Sequence, residues 1–598
     1  MGLASEPAAG QVLLRNRGAW VAVRFTSCAP SAIDEAMACD LDIDPSGRAL
    51  DCDLVVIGGG VNGVGVARDA SLRGLKVALF ERNDIAFGAS GNSSGMIHGG
   101  PRYLTSDPAV TQSSCLDSGH IQHIAPHLLF RIPFLMPIFK SGALMSKVAL
   151  TGYDAFFDLY DAYQPLKAGK DHVRLDADEI HQLEPGLVGG SAGGVTFDEW
   201  GIDGSRLCVG NAVDARERGA EIRVHCTVTE ILRREDGSVY GVRFRDRVTG
   251  ESSRRTARVV VNATGAWAPI TTSLGGLEPN AARIRPGKGI HVFLDRRLTN
   301  YAIVAYAIDG RQVFLLPWQN MSVLGTTDDD YYGDLDHVVA TTDEVNYLFQ
   351  AIEHVFPAVR SARAIGTWGG VRPTLYEWGK NEDKLSREHQ VVDHKEHGAD
   401  GLYSMIGGKL ASYRLFAEEM TDVIAKRLGN TAPRRSHVAP LPGGDEQLDP
   451  MQLVLRGGME AVTATRLEYR HGSRSLRVLE RMQQKPREAA VVCSCEPVTE
   501  AEIRYVVEQE FAQDVADVAR RTRLGLGACG GMRCALRCGR IVADATGRSP
   551  EVGQQLALEF LTQGARRRSA AVGAAQARQE ALALSVLQAE IGSGSRDS

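Results

Sequence analysis

Two stretches of this chain combine residue types and spacings that could do chemistry. The first is Gly58-x-Gly60-x-x-Gly63. It follows the apolar run Leu54-Val55-Val56-Ile57 and precedes Val64, Ala67, Ala70 and Leu75 at helical spacing, which predicts strand, tight turn and helix. In that setting the first glycine permits the turn, the second lets the backbone approach a pyrophosphate, and the third lets the helix pack on the strand. The pyrophosphate would lie at the helix N-terminus, where N–H groups and the helix dipole favour negative charge. Glu81 ends a second strand about 20 residues further on, placed to accept hydrogen bonds from ribose hydroxyls. The motif alone leaves FAD and NAD open. A later strand, 258–262, runs into the small residues Ala263, Thr264 and Gly265; this suits a second backbone approach to the same cofactor and favours FAD.

The second stretch is Cys493-x-Cys495 followed by Cys529-x4-Cys534. Four thiolates suit a [2Fe–2S] cluster or zinc. Structural zinc prefers two or more residues between the cysteines of each pair, so the first pair is awkward for it. Glycines at 525, 527, 530 and 531 would let backbone N–H groups reach cluster sulfurs. Iron–sulfur is the favoured reading, with zinc or bare cysteines as alternatives. A one-electron centre near a flavin could take its two electrons singly. Cys538 is left over and reads as structural.

The elements that must position these groups exceed one core. A chain of 598 residues predicts two to four folding units. Its net charge of −6 argues against nucleic acid as the main partner, while leaving room for a local basic pocket. No apolar run reaches the roughly 18 residues of a membrane span, and residues 128–139 read as a buried or lid segment. Of 11 cysteines, those outside the C-terminal group are isolated and read as small buried residues of a reducing compartment. The first 50 residues carry no secretory pattern and no periodicity, and are expected to be a poorly ordered extension. Expected boundaries are an oxidoreductase domain over 51–430 and a polar connector over 431–490. A cysteine-bearing unit over 491–545 and a solvated helical tail over 546–598 complete the chain.

Several motifs carry a resemblance. VVIGGGVNGVGVARDASLRGLKVALFER, GASGNSSGMIHGGPRYL, KGIHVF, PWQNMSVLGTTDDDY, GGVRP and GGKLASYR together resemble the FAD-dependent glycerol-3-phosphate dehydrogenases. The cysteine unit is similar to the bacterioferritin-associated-ferredoxin (BFD) type of [2Fe–2S] domain, as in the catalytic component of the anaerobic, multi-subunit enzyme. The resemblance implies an α/β fold: a Rossmann-like FAD domain, an antiparallel-sheet substrate domain and a small helical BFD-like domain. It assigns 51–120, 205–285 and 365–430 to the cofactor and 121–204 and 286–364 to the substrate.

The resemblance implies oxidation of sn-glycerol 3-phosphate to dihydroxyacetone phosphate by hydride transfer to flavin. Electrons would go on through the cluster towards quinone, by way of membrane-associated companion subunits, on the cytoplasmic face of the membrane. Such chemistry needs an anion grip and a proton acceptor. The implied grip is Arg102, Tyr103, Thr327, Arg372, Arg387 and Lys409, with Thr326 beside Thr327 on the pocket wall. His291 is the preferred proton acceptor and His98 the alternative, which more readily lines the flavin. The implied cofactor residues are Gly58, Gly60, Gly63, Glu81, Ser93, Ser94, His98, Ala263, Gly265, Gly408 and Lys409. Three rivals stay open: a 2-hydroxyacid or amine dehydrogenase on the same scaffold, a non-catalytic iron–sulfur redox scaffold, and a zinc-stabilised module.

Overall fold

The computed structural model describes residues 11–16, 19–24, 43–104, 107–139, 143–380, 385 and 388–593. Residues 1–50 form a unit of their own. Within it lie an antiparallel hairpin, Gln11–Asn16 with Ala19–Arg24, and a turn in which Asp44 accepts hydrogen bonds from the Ser46 and Arg48 amides. The expectation that this extension is poorly ordered falls largely on residues outside that description.

From Asp51 the chain forms one compact unit built on two sheets. In the first, Cys52–Ile57 lies between Ser252–Asn262 and Val77–Phe80, parallel to both, and Glu221–Arg223 extends the far edge. Strands covered on both faces read as continuous apolar runs, as Leu54 to Ile57 does. Helix Val61–Leu72 covers one face, packed against Gly204–Glu217 and Tyr413–Leu428. Leu402–Gly407 joins the sheet beside Ser252–Asn262.

The second sheet has ten strands and is mainly antiparallel, with Ala302–Tyr306 parallel to Leu129–Phe139. The segment at 128–139 is therefore an interior strand. Ala364–Leu375, expected in the cofactor half, instead runs the length of Ile284–Leu294 in this sheet. The pairing sets Gly287 opposite Arg372 and His291 opposite Trp368.

The C-terminal region corrects two expectations. Residues 431–490 are more than a connector: helices Pro450–Gly457, Ala461–His471 and Ser475–Gln484 bury Leu453, Leu467, Val478 and Leu479 in the core of the cysteine unit. Dense Arg and Glu on their outer faces hide this apolar spacing in the sequence. Nor is the tail simply solvated. Pro550–Arg568 packs along Ala535–Ala545 and buries Ala557 and Leu561, whereas Ala574–Ser593 is mostly exposed. Among the described residues no helix is long and apolar enough to cross a membrane.

The cysteine unit meets the first sheet through buried charge. Asp84 accepts from Arg521 at 2.6 and 2.7 Å and from Arg520 at 2.7 Å. Asp84 and Arg521 are both inaccessible to solvent.

Candidate active site

A cavity of about 1240 Å³ lies between the two sheets. Pockets for drug-sized ligands run to roughly 1,000 Å³, so there is room for a dinucleotide and a small substrate. Gly58, Gly60, Glu81, Ser93, Ser94, His98, Ala263, Gly265 and Gly408 line it, with Tyr103, His291, Arg372 and Lys409.

The glycine turn is built from the residues around it. A Cβ on Gly63 would overlap the Gly58 carbonyl oxygen, so the third glycine is needed for close packing and does not itself line the cavity. A Cβ on Gly60 would meet only the Ser90 hydroxyl, at 3.4 Å, leaving the backbone open towards the cavity. Ser90, which carries no motif of its own in the sequence, accepts from the Val61 amide at 3.0 Å and fixes the start of the helix. Glu81 accepts from the amides of Gly59 at 2.6 Å and Asn83 at 2.7 Å. Burial raises its pKa against the pull of those two amides. Its carboxylate therefore organises the turn as well as facing the cavity.

At the other end, Arg372 reaches over the floor of the second sheet. It donates to Asp328 at 2.8 Å, to the Thr326 hydroxyl at 3.1 Å and to the Thr327 carbonyl at 3.2 Å. Thr327 does not line the cavity, a correction to its expected role. It is buried, and its hydroxyl accepts from the Ile290 amide at 3.1 Å. Neighbours in extended chain point to opposite sides, and Thr326 is the one that faces in. Gly289, equally silent in the sequence, leaves the space that the Arg372 guanidinium fills.

Lys409 follows Leu402–Gly407, and its ammonium lies 4.0 Å from the centre of the Tyr103 ring. That contact steadies a cation without neutralising it. His291 is buried, and its Nε2 is 2.8 Å from the Ser94 hydroxyl. Its Nδ1 has no hydrogen-bond partner among the described residues. Burial, with a smaller push from Arg372, lowers its pKa to about 3. The Arg102 side chain and the whole of Arg387 lie outside the described residues.

The cysteines fall into two pairs. Cys495 and Cys529 have sulfurs 3.8 Å apart, and Cys493 is hydrogen-bonded to Cys534. That bond draws the Cys493 thiol down to about 6 against the opposing effect of burial, and holds Cys534 well above its usual range. Two thiolates on one tetrahedral metal at ~2.3 Å stand about 3.8 Å apart. Among the described residues no three of these sulfurs lie mutually within 4.8 Å. Cys538 is buried, its thiol pushed up by burial.

Comparison with known proteins gives the kinship. The family described as FAD dependent oxidoreductase matches residues 53–414, and the C-terminal domain of alpha-glycerophosphate oxidase matches 434–552. The A subunit of the anaerobic glycerol-3-phosphate dehydrogenase of Escherichia coli is 33% identical over 493 residues, 81% of this chain and 86% of that one. Glycerol-3-phosphate dehydrogenase of Synechocystis is 32% identical over 492 residues, 78% and 88% of the two chains. The crystal structure of the Bacillus halodurans glycerol-3-phosphate dehydrogenase complexed with FAD shares the fold. Its TM-score is 0.67 at 24% identity, over 89% of this chain and 97% of that one.

Proposed function

The chain belongs to the FAD-dependent oxidoreductases, among the glycerol-3-phosphate dehydrogenases, and on that footing we propose that it oxidises sn-glycerol 3-phosphate to dihydroxyacetone phosphate on bound FAD. The observation that carries the reading is the meeting, in one cavity, of a glycine turn open to a pyrophosphate with Arg372, Lys409, Tyr103 and His291. FAD would lie along Gly58, Gly60, Glu81, Ala263, Gly265 and Gly408, and once bound would supply the two-electron acceptor for the carbinol.

The chain's own residues do the rest. Arg372 and Lys409 grip the phosphate dianion, which an uncharged or monocarboxylate substrate would not require. Asp328 and Thr326 fix the guanidinium so that little ordering is left for the moment of binding. Ser94 holds the His291 ring. With Nε2–H donated to that hydroxyl, Nδ1 keeps a lone pair for the substrate's hydroxyl proton. Phosphate on Arg372 offsets part of the positive charge that weakens this base, so its proton affinity rises when substrate arrives.

The cysteines fit a [2Fe–2S] cluster better than zinc. Two pairs at one-metal spacing, with no closer triple, match two irons with two thiolates each; one tetrahedral zinc would bring all four sulfurs together. A cluster held by Cys493, Cys495, Cys529 and Cys534 would supply a one-electron centre. Escape of electrons to companion subunits and to quinone fits the name of the Escherichia coli relative, which is one component of a larger enzyme.

An anaerobic titration of the purified protein with glycerol 3-phosphate, followed in the visible spectrum, tests the reading. Flavin bleaching by glycerol 3-phosphate and not by 2-hydroxyglutarate is expected; the reverse preference, or protein purified without flavin, would overturn it.

A further inference from the structure

The four cysteines are unequally covered. Cys493 and Cys534 are buried, while Cys495 and Cys529 are partly exposed. The rim around the exposed pair is apolar, then basic. Leu526 and Met532 each stand 36% exposed, and Ala528 is exposed between them. Arg533 is exposed just before helix Ala535–Ala545, and Arg537 and Arg540 are exposed one turn apart on it. The nearby acids do not cancel this charge. Glu500 and Asp544 are both engaged by Arg504, and Arg537 reaches Glu500 only at 3.4 Å.

This basic face stands out on a chain of net charge −6, so what it attracts is attracted locally. Apolar side chains ringed by cations, beside half-covered thiolates, have the anatomy of a protein contact: a dry centre and a charged rim.

We propose that this face is where a protein electron acceptor docks, and that the acceptor presents an acidic surface around its own one-electron centre. The proposal rests on the [2Fe–2S] reading above. The exposed pair brings the metal edge to the surface, the apolar rim excludes water from the contact, and the arginines steer the partner. Each encounter transfers one electron from the reduced cluster to the partner's oxidised centre, with no proton or group moving along with it. Rim charges of this kind act mainly on the association rate and its salt dependence.

The test uses the holoenzyme, reduced anaerobically with glycerol 3-phosphate. It is mixed in a stopped-flow instrument with cytochrome b5, an acidic one-electron haem protein, or with cytochrome c, a basic one. Salt is varied from about 10 mM to about 1 M, over which the screening length falls from roughly 30 to 3 Å. Reduction of cytochrome b5 should slow steeply with salt. The variant R533E/R537E/R540E should slow it by about tenfold or more at low salt and flatten the salt dependence. The same variant should speed cytochrome c and leave flavin bleaching unchanged. R537Q/R540Q, a milder change at exposed positions, should give a smaller loss in the same direction. Calorimetric titration of the oxidised proteins should show the matching loss of binding.

Equal cytochrome b5 rates in variant and parent, or rates indifferent to salt, would overturn the docking face while leaving the cluster in place. Absence of iron and of a cluster signal by electron paramagnetic resonance in the parent protein would overturn the cluster reading, and this proposal with it.

Discussion

Gly289→Ala isolates the grip on the substrate anion. The added Cβ would overlap Nη2 of Arg372 and come within 2.6 Å of Nη1 and 2.7 Å of Cζ. What it meets is the far end of a flexible side chain, so the guanidinium moves and the strand stays. Moving it breaks the bonds to Asp328 and Thr326 and takes the charge off its aim into the cavity. A charge-assisted hydrogen bond contributes about 1.5–3 kcal/mol, and about 1.4 kcal/mol is a factor of ten. Loss of one to the phosphate should therefore lower kcat/KM for glycerol 3-phosphate about 10- to 100-fold. Flavin content should be unchanged, because the glycine turn lies at the other end of the cavity. Gly366→Ala is the control, since a Cβ there meets nothing within 4 Å. In an Arg372→Ala background the Gly289 change should add almost nothing, as two changes acting through one group are not additive. A loss of less than about threefold, or the same loss with and without Arg372, would refute the argument.

Gly63→Ala, whose Cβ would overlap the Gly58 carbonyl, should yield folded protein with little bound flavin, measured by absorbance after gel filtration; full flavin content would contradict the packing. Asp84→Ala strands the fully buried Arg521. Breaking a buried pair costs about 3–5 kcal/mol, and denaturant unfolding should show it; a cost below about 1 kcal/mol would mean the seam re-forms around another acid. The seam should also weaken at alkaline pH. Burial, then the neighbouring Asp517, raises Asp514 to about 7, and Asp517 holds His225 above its usual value despite burial. Both folded values exceed the unfolded ones, so their stabilisation is present at low pH and lost as pH rises through about 7 and above. Tm should fall from about pH 6 to about pH 9, and Asp514→Asn should flatten the change.

What the sequence makes legible follows from how local each signal is. The turn at Gly58, Gly60 and Gly63 is written in consecutive residues, because strand, turn and helix there are neighbours in the chain. The cysteine pairs are equally local. Thr326 and Thr327 look alike in the sequence, because the choice between them depends on the side of an extended chain, and a shift of one residue reverses it. Gly289 carries no signal of its own; its meaning comes from Arg372, on the antiparallel neighbour, and only the register shows that the two are close. Residues 431–490 look like a connector because their charged faces outnumber the few apolar residues that point inward. Ala364–Leu375 sits in the substrate sheet for the same non-local reason: its partner, Ile284–Leu294, is far away in sequence.

The seam between the cysteine unit and the oxidoreductase core is built from charge where apolar packing would be more stabilising. Arg206 of the core pairs with Glu510 of the cysteine unit, His471 sits between Glu510 and Glu502, and Arg470 closes the run at 2.6 Å from Glu502. Against the cost of burial, Arg206 and His471 hold Glu510 well below the usual carboxylate range. Buried ion pairs of this kind add little net stability over well-packed hydrocarbon, because each charge has lost its water. What they provide is register. Apolar faces tolerate sliding by a few ångströms, whereas a displaced buried charge faces an unpaired partner, and each pair in the row penalises the same slip. A redox protein has reason to accept that exchange, since electron transfer between two centres falls steeply with distance. We read the seam as fixing the interval between the flavin cavity and the cysteine pairs, with the three helices of 450–484 as its structural frame.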